Sequence, residues 1–151
     1  MRIVVLCLLP LLLVSACTTL TLKPVNYAWP VESVLKADAK GMVEEQRYMI
    51  SFSIKPLMFE ETKDSTKAEN AEIRLIRDLQ GYFFVTAKGF KNVYVFAPGE
   101  GSLKLEKKIM ILEKGLDAPA FNQRSPYIQL LDGKEKPRRL TKDGILEEGK
   151  S

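Results

Sequence analysis

Cys17 is the residue with the plainest chemical capacity in this chain: a thiol placed directly after the small residues Ser15 and Ala16, at the end of an apolar run from Ile3 to Val14. The other cysteine, Cys7, lies inside that run. The 151 residues contain no histidine, so the commonest general base and metal ligand is absent. Serine–histidine and cysteine–histidine catalysis are excluded with it. A serine–lysine pair remains compatible with the composition. Two adjacent carboxylate pairs, Glu44-Glu45 and Glu60-Glu61, invite comparison with glycosidases, which need two acids several ångströms apart. Neighbours on a strand point to opposite faces, so neither pair makes such a site alone. Glu60, Glu61, Asp64 and Glu69 match no calcium-loop spacing and lack its central glycine. Gly99-Glu100-Gly101 has no helix pattern behind it to complete a phosphate cradle. No catalytic residue, metal site or cofactor is expected.

Arg2, the apolar run and the small residues are the three parts of a secretory signal. The run is too short to span a bilayer, which takes about 20 apolar residues. Its end, Val14-Ser15-Ala16-Cys17, resembles the lipobox of bacterial lipoproteins, a likeness confined to this signal. The resemblance implies a diacylglycerol on the Cys17 thiol, cleavage just before it and acylation of the new amino group. An ordinary signal-peptidase cut at the same place would not require the cysteine. Each buried methylene contributes about 0.8 kcal/mol, so two or three acyl chains hold firmly where one holds weakly. In that family an aspartate after the cysteine favours the inner membrane. Thr18 stands there instead, which implies the outer membrane.

Removing residues 1–16 from 151 leaves 135, enough for one domain that buries about two thirds of its unfolded surface. With 46% hydrophobic and 28% charged residues the chain is globular rather than disordered. Loss of Arg2 takes the formal charge from +4 to +3, too little to imply a nucleic-acid partner. A chain that starts at an acylated Cys17 has no disulfide, so its stability must come from its core.

Residues 17–30, with Pro24 and Pro30, read as a lipidated tether, and Trp29 as a cap where the chain enters the fold. One β domain is expected over 31–142, with a disordered tail over 143–151. Residues 31–36 and 42–55 read as a hairpin turning at Gly41, and Tyr48, Ile50, Phe52 and Ile54 alternate as one buried strand face until Pro56. Residues 59–70 are polar and read as a loop or a short helix near Ser65. An antiparallel meander follows over 72–77, 81–87, 92–97, 102–106 and 108–113, with turn chemistry at Asp78–Gly81 and Pro98–Gly101. Tyr82–Val85 and Val93–Phe96 are apolar on both faces, as central strands covered on two sides would be. Residues 116–127, with Pro119 and Pro126, read as a loop, 127–131 as a strand, and 139–141 as a last short strand. The fold class is therefore mainly β, a small antiparallel sandwich or partly open barrel built on a meander, with at most one short helix.

Candidate binding residues are Lys88, Phe90 and Lys91, an aromatic flanked by cations at a hairpin tip. Tyr94 joins them from the aromatic strands, and Arg138 and Arg139 from the densest basic stretch, 134–142. The expected function is that of a non-catalytic outer-membrane lipoprotein, held to the membrane by its lipid, that binds another envelope protein or serves envelope assembly. Two alternatives are a small-ligand or glycan-binding module, which needs a concave pocket lined by the rings of residues 82–96, and an inhibitor of a hostile enzyme such as a lysozyme.

Overall fold

The computed structural model describes residues 31–99 and 102–147. The segments expected as signal and tether, with Cys17 and Trp29, together with residues 100–101 and the last four residues, lie outside the described residues. In chain order the first elements are β1 (Ser33–Lys36), β2 (Met42–Glu45), β3 (Ile50–Ser53), helix α1 (Lys55–Thr62) and a 3₁₀ turn (Ser65–Ala68). A meander follows: β4 (Glu72–Arg77), β5 (Phe83–Thr86), β6 (Asn92–Gly99) and β7 (Ser102–Met110). A second meander closes the chain with β8 (Pro119–Arg124), β9 (Tyr127–Asp132), β10 (Arg138–Thr141) and β11 (Gly144–Leu146).

The protein is mainly β, as its sequence leads one to expect. Three antiparallel sheets have the orders β1-β4-β5-β6-β7, β11-β10-β9-β8 and β2-β3, and none closes into a barrel. The five-stranded sheet lies in the middle. Its strands alternate side chains between two apolar clusters, which is why β5 and β6 are apolar at every central position. Phe83, Val85 and Tyr94 enter one cluster with Leu57 and Met58 of α1 and Val43 of β2. Phe84, Val93 and Val95 enter the other with Phe121, Ile128, Leu130 and Leu140 of the four-stranded sheet. The two sheets also share a polar tie: the Glu32 carboxylate accepts from Arg74 Nη1 of β4 at 2.7 Å and from the Phe121 backbone N–H of β8 at 2.8 Å.

Several expectations need correction. β1 does not pair with the following strand; it pairs with β4, Ser33 opposite Leu75, while β2 pairs with β3. The turn at Gly41 forms, with φ at +76° and the Asp38 carboxylate accepting from the backbone N–H groups of Lys40 and Met42. It carries the chain out of the plane of β1, so a turn signal placed the corner without fixing which neighbour each strand keeps. A Cβ on Gly41 would also meet the Ala68 Cβ at 2.9 Å. The expected continuous strand 42–55 is broken by a turn at Gln46–Met49, yet Tyr48, Ile50, Phe52 and Ile54 all reach the same cluster. Pro56 ends the strand and also opens α1, because the first helical turn needs no partner for its nitrogen.

Residues 102–106 and 108–113 are not two strands. A bulge between Val95 and Phe96 lets one strand, β7, accommodate Glu106 as an extra residue. Leu103 and Ile109 are an even number of positions apart, so a regular strand would put both on one face. The bulge sends Leu103 to the first cluster and Ile109 to the second. The expected loop over 116–127 contains β8: Pro119 is its first residue, where no ladder donor is missed, and Pro126 sits in the turn before β9. Finally, β11 lies beyond the expected domain end at 142, within the stretch expected as a disordered tail, and pairs with β10.

Candidate functional site

The two faces of the central sheet are covered unequally, and the uncovered part of one is a cleft of about 1350 Å³. Its floor is aromatic and apolar: Phe83 of β5, Tyr94 and Phe96 of β6, and Leu103 and Leu105 of β7. One wall is the turn from Arg47 to Met49 together with all of β3. Pro56, Leu57 and Glu60 of α1 form another side, and Lys108 stands opposite. Met49 is 92% exposed and Leu105 50%, so the rim presents apolar surface to water.

Sequence places these groups through simple rules. Arg77 shares the parity of Ile73 and Leu75 on β4 and so turns toward the cleft face. Its guanidinium carbon lies 5.4 Å from the ring centres of both Tyr48 and Phe83, and those two rings meet edge to face at 5.4 Å. Its Nε donates to the Gly81 carbonyl at 3.4 Å. No carboxylate among the described residues stands within ion-pair distance of Arg77.

The other charges of the cleft are answered. Arg47 donates from its Nε and its backbone N–H to the Glu45 carboxylate, from Nη1 to the Val31 carbonyl and from Nη2 to the Ser33 hydroxyl. Burial raises the Glu45 pKa, and the combined hydrogen bonds from Ser33 and Arg47 outweigh it, so the carboxyl sits below its ordinary value. Lys108 Nζ meets Glu60 Oε1 at 2.5 Å across the end of the cleft. That hydrogen bond lowers the Glu60 pKa and raises that of Lys108.

Beside the cleft, Glu61 clasps α1 to β6. Its carboxylate accepts from the Lys91 backbone N–H at 2.8 Å, Asn92 Nδ2 at 2.7 Å and the Tyr94 hydroxyl at 2.8 Å. Burial first, and then the bond to Glu61, push the Tyr94 phenol far above its ordinary value. It is therefore a fixed donor rather than a titrating group.

The expected binding residues are not brought together. Phe90, expected as a contact residue at a hairpin tip, is 2% exposed and packs edge to face on Tyr94, so it belongs to the core. Phe90 turns inward where Gly89 donates to the Leu116 carbonyl and the Phe90 carbonyl accepts from Leu116, while Lys88 and Gly89 stay exposed. Lys88 is exposed and pairs with Asp117 at 3.2 Å, and Lys91 contributes its backbone to the Glu61 clasp. Arg138 and Arg139 lie on β10 in the other sheet, with Arg139 over the Tyr127 ring at 5.3 Å. Only Tyr94 borders the cleft, by its ring. Cys17 lies outside the described residues.

The Ser-x-x-Lys spacing that a serine–lysine pair would use occurs at Ser33 and Lys36. On a strand, positions three apart point to opposite faces, and the Ser33 hydroxyl is held by Arg47, so the pair makes no nucleophile. Among the described residues no group of three or more histidine, cysteine or acidic side chains is placed to hold a metal ion, and no helix is long and apolar enough to cross a membrane. Comparison with protein-family models, curated proteins and solved structures finds no match. The site must be read from its own chemistry.

Glu60 is the one carboxylate among the described lining residues, and Lys108 occupies it. What the cleft offers is an aromatic floor, an apolar rim and one arginine stacked in place with donors to spare.

Proposed function

We propose that this chain is a non-catalytic, lipid-anchored protein of the bacterial outer membrane whose β domain binds another envelope protein in the cleft. The observation that carries the reading is the open aromatic cleft beside the β2–β3 hairpin, with Met49 and Leu105 exposed on its rim. Exposed apolar surface rimmed by polar groups marks contact sites, and aromatic residues and arginine are the types enriched at them. The cleft is larger than the roughly 300–1,000 Å³ of small-molecule sites, which favours a partner segment over a compact ligand. The lipobox-like Val14-Ser15-Ala16-Cys17 supports the address.

A photo-crosslinking residue at Leu105, introduced in the cells that make the protein, tests this. Discrete protein adducts are expected, and Phe96→Arg, which places a charge on the floor, should abolish them. Adducts indifferent to Phe96→Arg, or none at all, would remove the reading. The small-ligand alternative has its own motive in the rings of Phe83, Tyr94 and Phe96 on the floor. Native mass spectrometry would reveal it as a bound mass released by the same substitution.

A further inference from the structure

Resting on the reading of the cleft as a partner site, we infer that the partner enters as an extended strand that adds to the free edge of β3 and carries a carboxylate to Arg77. β3 pairs only with β2, and β7, which ends the five-stranded sheet, carries the outer part of the floor, so the cleft is flanked by two strand edges without a neighbour among the described residues. The two edges differ. β7 carries Lys104, Lys107 and Lys108 and the bulge at Glu106, the devices by which proteins keep an edge from recruiting another strand. β3 is Ile50-Ser51-Phe52-Ser53 and has no charge, no proline and no bulge.

The free groups of β3 can be assigned. The Ile54 N–H donates to the Gly41 carbonyl, so by alternation the Phe52 and Ile50 amides also face β2. The N–H and C=O groups of Ser51 and Ser53 therefore face the open side, and both residues line the cleft. An extended backbone laid along them gains ladder hydrogen bonds, as in peptide recognition by strand addition. Its alternate side chains fall on the aromatic floor formed by Phe83, Tyr94 and Phe96.

Charge selects among such strands. Glu45 answers Arg47 and Glu60 answers Lys108, which leaves Arg77 as the lining cation with no carboxylate at ion-pair distance, Asp78 attracting it only from farther off. The Tyr48 and Phe83 rings hold its guanidinium carbon at 5.4 Å from each centre, and a planar fork held in place suits a carboxylate. A segment alternating apolar and acidic residues matches floor, edge and charge together. A hydrocarbon chain would use the floor but leave the outward amides of β3 unpaired.

The test uses the full chain, purified from membranes into lipid nanodiscs, and a fluorescein-labelled capped peptide of about eight residues alternating valine and glutamate. Saturable binding by anisotropy is expected. Ser51→Pro removes an outward donor without touching the β2 ladder and should weaken binding at least about tenfold while leaving the unfolding midpoint in place. The same peptide methylated on alternate backbone nitrogens should lose binding to the unchanged protein, a comparison that stands even if Ser51→Pro fails to fold. Arg77→Gln should weaken the glutamate peptide by several-fold and leave a valine–glutamine peptide unaffected. Equal binding of the methylated peptide, no saturation at millimolar peptide, or hexadecanoate binding that ignores Ser51→Pro would each overturn the inference, the last in favour of a lipid guest. Photo-crosslinks at Leu105 that survive Ser51→Pro would sink strand addition alone. Their absence would sink the partner reading as well.

Discussion

The two faces of the central sheet are built from the same strands and the same kinds of side chain, yet they are covered by different means. On one face the four-stranded sheet lies across β4 to β6, and Ile76, Phe84, Val93 and Val95 meet Phe121, Ile128, Leu130 and Leu140 with almost no exposure. On the other face the cover is a hairpin of two four-residue strands and an eight-residue helix. That cover fills the end near Ile54, Ile73 and Phe90 and stops short of Phe96, Leu103 and Leu105. Apolar contact holds most of the first cover, with the Glu32 carboxylate joining Arg74 of β4 to the Phe121 N–H of β8 beside it. Carboxylates help to hold the second: Glu45 through Arg47 to Ser33, Glu61 to β6, and Glu60 to Lys108 of β7. Position in the packing, rather than composition, separates the covered face from the open one.

The sharpest way to break this comparison is to truncate one phenylalanine on each face. Phe84 is 0% exposed at the centre of the covered face, and its replacement by alanine should cost about 3–5 kcal/mol in urea unfolding, since a filled interior cannot collapse around the void. Phe96, one strand away and only partly buried, should cost about 1 kcal/mol when truncated. Equal losses would mean that the cleft closes in solution and that the two faces are alike.

Much of this contrast was legible in the sequence. The apolar doublets at 82–85 and 93–96 announced central strands covered on both sides, and Asp78–Gly81 announced the reversal between β4 and β5, where the Asp78 carboxylate accepts from Gln80 and Tyr82. Local turn and alternation signals carry that information. What failed was long-range: the pairing of β1 with β4 joins residues about forty positions apart, and no local pattern encodes it. Pro56 and Pro119 misled because proline marks both the end of one element and the start of another. The cleft itself had one legible ingredient, the alternation of Tyr48, Ile50 and Phe52. Arg77 gave no sign, since its role comes from two rings on other strands.

The carboxylate clasps allow a finer cut. Replacing Glu61 by alanine strands the Tyr94 hydroxyl and the Asn92 amide, both in buried residues, and should cost about 2–3 kcal/mol. Glu61→Gln keeps an acceptor and should lose less. Hydrogen exchange should rise in α1 and at the start of β6 in both variants, with β8 to β10 unchanged. Protection lost equally in β8 to β10 would show that the two covers are not held separately.

Acid should separate the two faces most gently. The folded Glu45 carboxyl titrates below its ordinary value of 4.5, because the bonds from Ser33 and Arg47 outweigh the burial that opposes them. A carboxyl with a depressed folded pKa contributes stability that is present in full above the unfolded value and lost as pH falls through the folded one. Between neutrality and about pH 5 the hairpin should therefore stay attached, and below 4.5 its tie to β1 should weaken progressively. The four-stranded sheet, joined to the centre mainly through apolar side chains, has no such dependence on Glu45. Exchange measured along a pH series should thus open β2 and β3 before β9 and β10. Glu45→Gln should flatten the acid limb of the unfolding midpoint while lowering the plateau above it, since the amide keeps the shape and loses the charge that Arg47 answers. An acid limb unchanged in Glu45→Gln would assign the loosening to another carboxylate and show that Glu45 is not what ties the cleft-side cover to β1.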